Sequence, residues 1–166
     1  MDILKQSVSW AEGEVLSAKL TLLYSLLIFI AAIGFWQLGK TQLAKALVVP
    51  MFVTGFLIVT IGIGLFYANH KRVTGFRTEY ENSPATFIQK EKLRTETSMN
   101  AYKGVFRFVP ALIIAAALLL IFFPAPVCRA IGIAVILLCV SVLVIDGNGD
   151  ARNTAYHNLI LSEIGK

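Results

Sequence analysis

Four stretches without an acid or a base, Leu20 to Leu38, Leu47 to Tyr67, Phe108 to Phe123 and Ala130 to Ile145, constrain this chain more than any other feature of its 166 residues. A hydrocarbon layer of roughly 30 Å takes about 20 helical residues to cross, so the first two stretches suffice alone and the shorter two need flanking residues. Charged residues make up only 15% of the chain, against about 25% in an ordinary soluble domain. Core helices of soluble proteins are also striped with polar residues on one side, whereas these stretches are apolar all round. The expected fold class is therefore all-α integral membrane, with four transmembrane helices as two antiparallel hairpins, an N-terminal interfacial helix and cytoplasmic helices.

A single membrane domain, 1–166, accounts for the whole length. Its expected parts are an interfacial helix (1–18), a first hairpin (19–68), a cytoplasmic helical connector (69–104), a second hairpin (105–146) and a cytoplasmic C-terminal helix (147–166). Basic residues in short loops are retained on the cytoplasmic side. Placing both termini there puts every Lys and Arg inside except Lys40, Lys45 and Arg129, and puts every acid inside, from Asp2 through Glu163. The expected location is a multi-pass membrane with both termini cytoplasmic, and any partner recognised through charge is expected on that side.

Leu4, Val8, Ala11 and Val15 recur at helical spacing, which suits a helix lying in the membrane interface with Trp10 at headgroup level. A polar turn spans Gly39 to Gln42, and span two is expected to be entered near Leu47, with Pro50 early in it. Ser83 and Pro84 read as an N-cap and first helical position, opening a helix that runs directly into span three; Gly75 and the Asn82 to Pro84 step are the expected bends before it. The short Phe123 to Val127 connection makes spans three and four antiparallel neighbours. The Asp146-Gly147-Asn148-Gly149-Asp150 run is expected to break the helix before a last helix, Ala151 to Ile164.

No Asp, Glu, Lys, Arg or His lies mid-span, which disfavours a pump or ion-coupled carrier. Thr54, Thr60, Gly62 and Gly64 are candidates for a pore or for packing, with Ser25 and Ser141 expected to return hydrogen bonds to the helices. Ala111, Ala115 and Gly132 are candidate helix-packing positions, because small side chains let backbones approach closely. Asp146, Asn148 and Asp150 imitate the start of a calcium loop, but Ala151 and His157 stand where that loop requires Gly and Glu, so no metal site is expected.

Arg152 and His157 stand in an Arg-x4-His spacing that resembles HEPN-type ribonucleases, a resemblance of six residues that implies a pair set against an RNA phosphate. The preferred reading is an exposed basic helix near the membrane. No nucleic-acid partner and no cofactor are expected. Cys128 and Cys139, eleven residues apart on one helix, are too far apart to bridge each other. With no established catalytic motif in the chain, the expected function is a non-catalytic subunit that oligomerises or docks a membrane partner protein in the lipid bilayer. A homo-oligomeric channel is the first alternative. The second is a membrane enzyme acting on lipid, for which the polar set His70, Arg107, Asp146, Asp150, Arg152 and His157 would have to meet.

Overall fold

The computed structural model describes residues 3–164, which form four long helices: α1 (Ile3–Leu38), α2 (Gln42–Asn82), α3 (Pro84–Phe122) and α4 (Pro126–Ile164). Asp2 and Lys166, both included in the charge reading above, lie outside the described residues. At 1.5 Å per residue these helices run about 54 to 62 Å, roughly twice the thickness of a hydrocarbon layer. Each contains a segment long and apolar enough to span a membrane. Each also continues well beyond that segment, so the bundle has an apolar end and a polar end.

Three short turns join the helices. Thr41 caps α2 with its side-chain Oγ1, which accepts from the Ala44 N–H at 3.1 Å. Ser83 is extended (φ −161°, ψ 97°), ending α2 and starting α3, with Pro84 at the first helical position where its missing N–H is harmless. Its hydroxyl meets Thr86 Oγ1 at 2.9 Å instead of capping the backbone. Phe123 ends α3 in an extended conformation, and Arg129 N–H donates to Ala125 as α4 begins. The turns at 39–41 and 123–125 lie at the apolar end; Ser83 and both described termini lie at the polar end.

α1 packs chiefly on α2 and α3 chiefly on α4, while α4 also reaches α1 and α2. Absent side chains make these approaches possible. A Cβ at Gly55 would stand 2.9 Å from the Phe29 ring, and one at Gly62 would stand 2.8 Å from Leu22. One at Gly132 would meet Leu120 at 2.9 Å and the Ala116 carbonyl oxygen at 3.0 Å. The apolar core gathers Ile28, Ala32, Leu47, Met51, Ile58 and Ala130. At the polar end a second core forms from Ala11, Phe76 and Phe87, and a third from Ile3, Tyr156 and Ile160.

Several sequence expectations are corrected. The interfacial helix at 1–18 is not separate: from Ile3 onward it is the first half of α1, and Leu4, Val8 and Ala11 pack with Phe76 and Phe87. An apolar stripe needs a partner surface, and neighbouring helices supply it as well as headgroups do. The α2 helix itself starts at Gln42, ahead of the membrane entry expected near Leu47, and carries Pro50 inside it. Gly75 makes no bend, whereas the Asn82 to Pro84 step does.

The Asp146 to Asp150 run does not interrupt α4, so residues 147–164 continue that helix and do not begin a separate one. Asn148 Nδ2 folds back to the Val144 carbonyl at 2.8 Å, and buried Gly149 leaves room for Tyr102, whose hydroxyl would be 2.8 Å from a Cβ there. Packing outweighs the roughly 1 kcal/mol per glycine by which local propensity disfavours helix.

Candidate functional site

The polar half of the bundle is held by charged and hydroxyl groups turned inward, and these make its most distinctive chemistry. α3 contributes Glu91, Arg94 and Thr95, one turn of helix whose side chains face α1 and α4. Glu91 is 4% exposed, and both its oxygens accept from Arg94 Nε, at 3.0 and 2.9 Å. Tyr156 of α4 reaches the same carboxylate at 3.1 Å and Ser7 of α1 at 2.7 Å. Ser7 in turn donates to the Ile3 carbonyl at 2.8 Å, so the single Tyr156 proton is shared between a carboxylate and a hydroxyl oxygen.

Aromatic rings roof this cluster. Trp10 stacks on Tyr156 with centroids 5.2 Å apart and planes 13° from parallel. The Arg94 guanidinium lies 4.1 Å from the Trp10 centroid, a cation-π distance, and Arg72 lies 5.8 Å from the same ring. Trp10 is thus a tertiary contact rather than a headgroup marker. Beside it, Arg152 Nε donates to the buried Glu14 carboxylate at 2.8 Å, which ties α4 to α1. Arg72 finds a neutral acceptor, Asn69 Oδ1, at 2.6 Å. Burial first, then Arg94, hold its guanidinium below its ordinary pKa.

A second branch joins α3 to α4. Thr95 is fully buried and its Oγ1 lies 2.7 Å from His157 Nδ1. The same hydroxyl contacts the Glu91 and Lys92 carbonyls, so its one proton goes to a carbonyl and the consistent tautomer has His157 donating from Nδ1. Asn153 Nδ2 donates to the Thr95 carbonyl at 3.0 Å. Trp10 Nε1, Arg94 Nη2 and Asn153 Oδ1 are buried without a hydrogen-bond partner among the described residues.

The phenol of Tyr156 is pushed up from its ordinary pKa by burial and then by the Glu91 charge, and that of Tyr102 by burial and then by Glu14. Because the folded state holds these protons more tightly, it keeps them where the unfolded chain, with a phenol pKa of about 10, begins to release them. Stability from this source is complete below about pH 10 and declines as pH rises further. Alkaline titration followed by Trp10 fluorescence is expected to show this loss, and Tyr156→Phe is expected to make the alkaline slope shallower.

The sequence-derived polar set does not meet as one site. His70 and Arg107 are exposed, and His70 stacks on Phe66 at 5.6 Å. Asp146 and Asp150 are half-buried on α4. Arg152 and His157 turn into the bundle toward Glu14 and Thr95, so the expectation of an exposed basic helix is corrected. Ser7, Trp10, Glu14, Glu91, Arg94, Thr95, Asn153 and Tyr156 form the observed cluster. Its members are separated by up to 149 residues in sequence. The spacing Ser7, Ala11, Glu14, Ala18 along α1, all inward, was the one available signal.

Among the candidates of the apolar half, Thr54 and Gly62 are buried within the chain, whereas Thr60 and Gly64 face outward. Thr60 returns its hydroxyl to the Phe56 carbonyl at 2.9 Å, as Ser25 does to Leu22 and Ser141 to Leu137. Gly132 packs against α3 at Ala116, while Ala111 and Ala115 point away from the bundle. No group of three metal-ligating side chains occurs among the described residues. A family-model scan, a search of curated proteins and a search of solved structures each gave no match to this chain.

In this cluster Glu91 and Glu14 are engaged by guanidiniums, the Ser7 and Thr95 hydroxyls contact backbone carbonyls, and His157 is held by Thr95. These bonds tie α1, α3 and α4 to one another at the polar end, and α2 joins them through Arg72 over Trp10 and through Phe76.

Proposed function

We propose that the chain is a multi-pass membrane protein, crossing as two antiparallel hairpins with both termini cytoplasmic, and that it serves as a non-catalytic subunit assembling with another copy or with a membrane partner. The observation that carries this reading is the uncovered apolar stretch of α3. Only 6% of its most apolar window is buried within the chain, against 28% to 33% for the other helices. Phe108, Leu112, Ile114 and Ile121 all stand outward there. Ala111 and Ala115 lie one turn apart on the same helix, also outward, and small residues at this spacing let a second helix approach closely.

The polar half supports the same reading from another direction. Its ion pairs are closed within the chain, so it is a rigid projection beyond the membrane, suited to fixing a geometry rather than to turning over a substrate. Neither the pore nor the lipid-enzyme alternative has such an observation behind it.

Cysteine cross-linking in native membranes tests the proposal, in a background where Cys128 and Cys139 are replaced by alanine. Ala115→Cys is expected to give a disulfide-linked dimer, or a cross-link to a reproducible partner, while Leu26→Cys on the opposite hairpin gives neither. A chain that is monomeric in mild detergent and forms no adduct through Ala111→Cys or Ala115→Cys would overturn it.

A further inference from the structure

At the apolar end, a groove of about 550 Å³ opens between α2 and α4. Val49, Val53 and Leu57 form one wall, Ile131 and Leu138 the other, and buried Ala134 lies at its base. Both helices start at this end and run the same way, so the groove follows them from Lys45 to Leu57, about 18 Å at 1.5 Å per residue. One leaflet of a hydrocarbon layer is roughly half of 30 Å, so this length matches a single leaflet. An open, one-leaflet groove without a charge along its walls fits an acyl chain.

The mouth has the opposite chemistry. Lys45 lines it, exposed, whereas Lys40 and Arg129, exposed at the same end of the bundle, do not line the groove. No acid occurs between residues 15 and 78 or between 97 and 145, so no carboxylate of this chain's apolar half opposes them. The starts of α2 and α4 add the partial positive charge of two helix N-termini. Cationic mouth and apolar groove together select a molecule with a negative head and a long tail.

We infer that the α2–α4 groove binds one acyl chain of an anionic phospholipid whose headgroup is held at Lys45, an inference that rests on the membrane-spanning reading above. Native mass spectrometry tests it, using the full chain in detergent equilibrated with phosphatidylglycerol and phosphatidylcholine of identical acyl chains. The parent protein is expected to retain phosphatidylglycerol about fivefold over phosphatidylcholine, the ratio given by about 1 kcal/mol for one lysine near a membrane surface. Lys45→Gln, a change at an exposed position, is expected to bring the ratio to parity. Lys40→Gln, outside the groove, is expected to leave it unchanged. Val53→Trp fills the groove and is expected to abolish retention of both lipids while keeping the parent melting temperature.

Equal retention of both lipids by the parent, or an equal loss of preference in Lys40→Gln and Lys45→Gln, overturns the site; the second result would assign the preference to diffuse surface charge. If Val53→Trp fails to fold, the two lysine variants decide alone. Recovery of the chain as a stable particle without surfactant overturns the membrane reading itself. Parity in a protein that requires surfactant overturns only the lipid site.

Discussion

Glu91→Ala is expected to melt the polar half of the bundle far below the parent protein, with a loss of about 3–5 kcal/mol. The side chains of Glu91 and Arg94 are 5% and 18% exposed, so deleting the carboxylate leaves a guanidinium inside the bundle without a counter-charge. Tyr156 loses an acceptor in the same step and keeps only Ser7. The cost is large because water cannot replace the lost partner at a buried site.

Trp10 reports this locally, since its ring stacks on Tyr156 and lies against the Arg94 guanidinium, whereas Trp36 stands exposed at the apolar end. In a Trp36→Phe background, the fluorescence transition of Trp10 follows the polar half alone. A double variant, Glu91→Leu with Arg94→Met, is expected to recover much of the loss, because exchanging a buried pair for apolar side chains is often neutral. A loss below about 1 kcal/mol in Glu91→Ala would show that water reaches this pair and that the polar core is not the clamp described here.

Gly132→Leu is expected to cost at least about 1–3 kcal/mol and to loosen α4 from α3. The Leu120 side chain can turn aside, but the Ala116 carbonyl oxygen, 3.0 Å from a Cβ at this position, belongs to the α3 backbone and cannot. Separation of the two helices is then the available relief. Gly64→Ala provides the contrast, since a Cβ there meets nothing within 4 Å. Alanine in an open helical position is expected to stabilise by about 0.5–1 kcal/mol. Melting curves in one detergent compare the two directly, and a Gly132→Leu protein as stable as the parent would exclude the close α3–α4 contact.

These two sites differ in how visible they were in the sequence. Gly132 stood out as a small residue in an apolar stretch, and its packing role follows from size alone. Glu91 carried no signal, because a Glu among Lys90, Lys92 and Arg94 reads as part of a solvated charged face. Only the fold shows that Lys90 turns outward to Glu79 at 2.7 Å while Glu91, one residue on, turns inward. The inward place of His157 leaves no trace in the sequence for the same reason. Its spacing from Arg152 reads as a surface pair, yet Arg152 bonds α1 and His157 bonds α3.

Hydropathy by itself established four helical segments of membrane-spanning length, because the free energy of moving backbone and side chains out of water depends on local composition. It also located the Ser83 break and the two short turns, where proline and glycine act on their own neighbours. Tertiary structure alone decided that α1 and α4 run on unbroken beyond their apolar segments, and that Gly149 sits within a helix. It alone also brought Ser7, Glu91 and Tyr156 to one point. Such contacts depend on which helix faces which, and the energy of a buried carboxylate is set by a partner whose distance along the chain leaves no periodic trace.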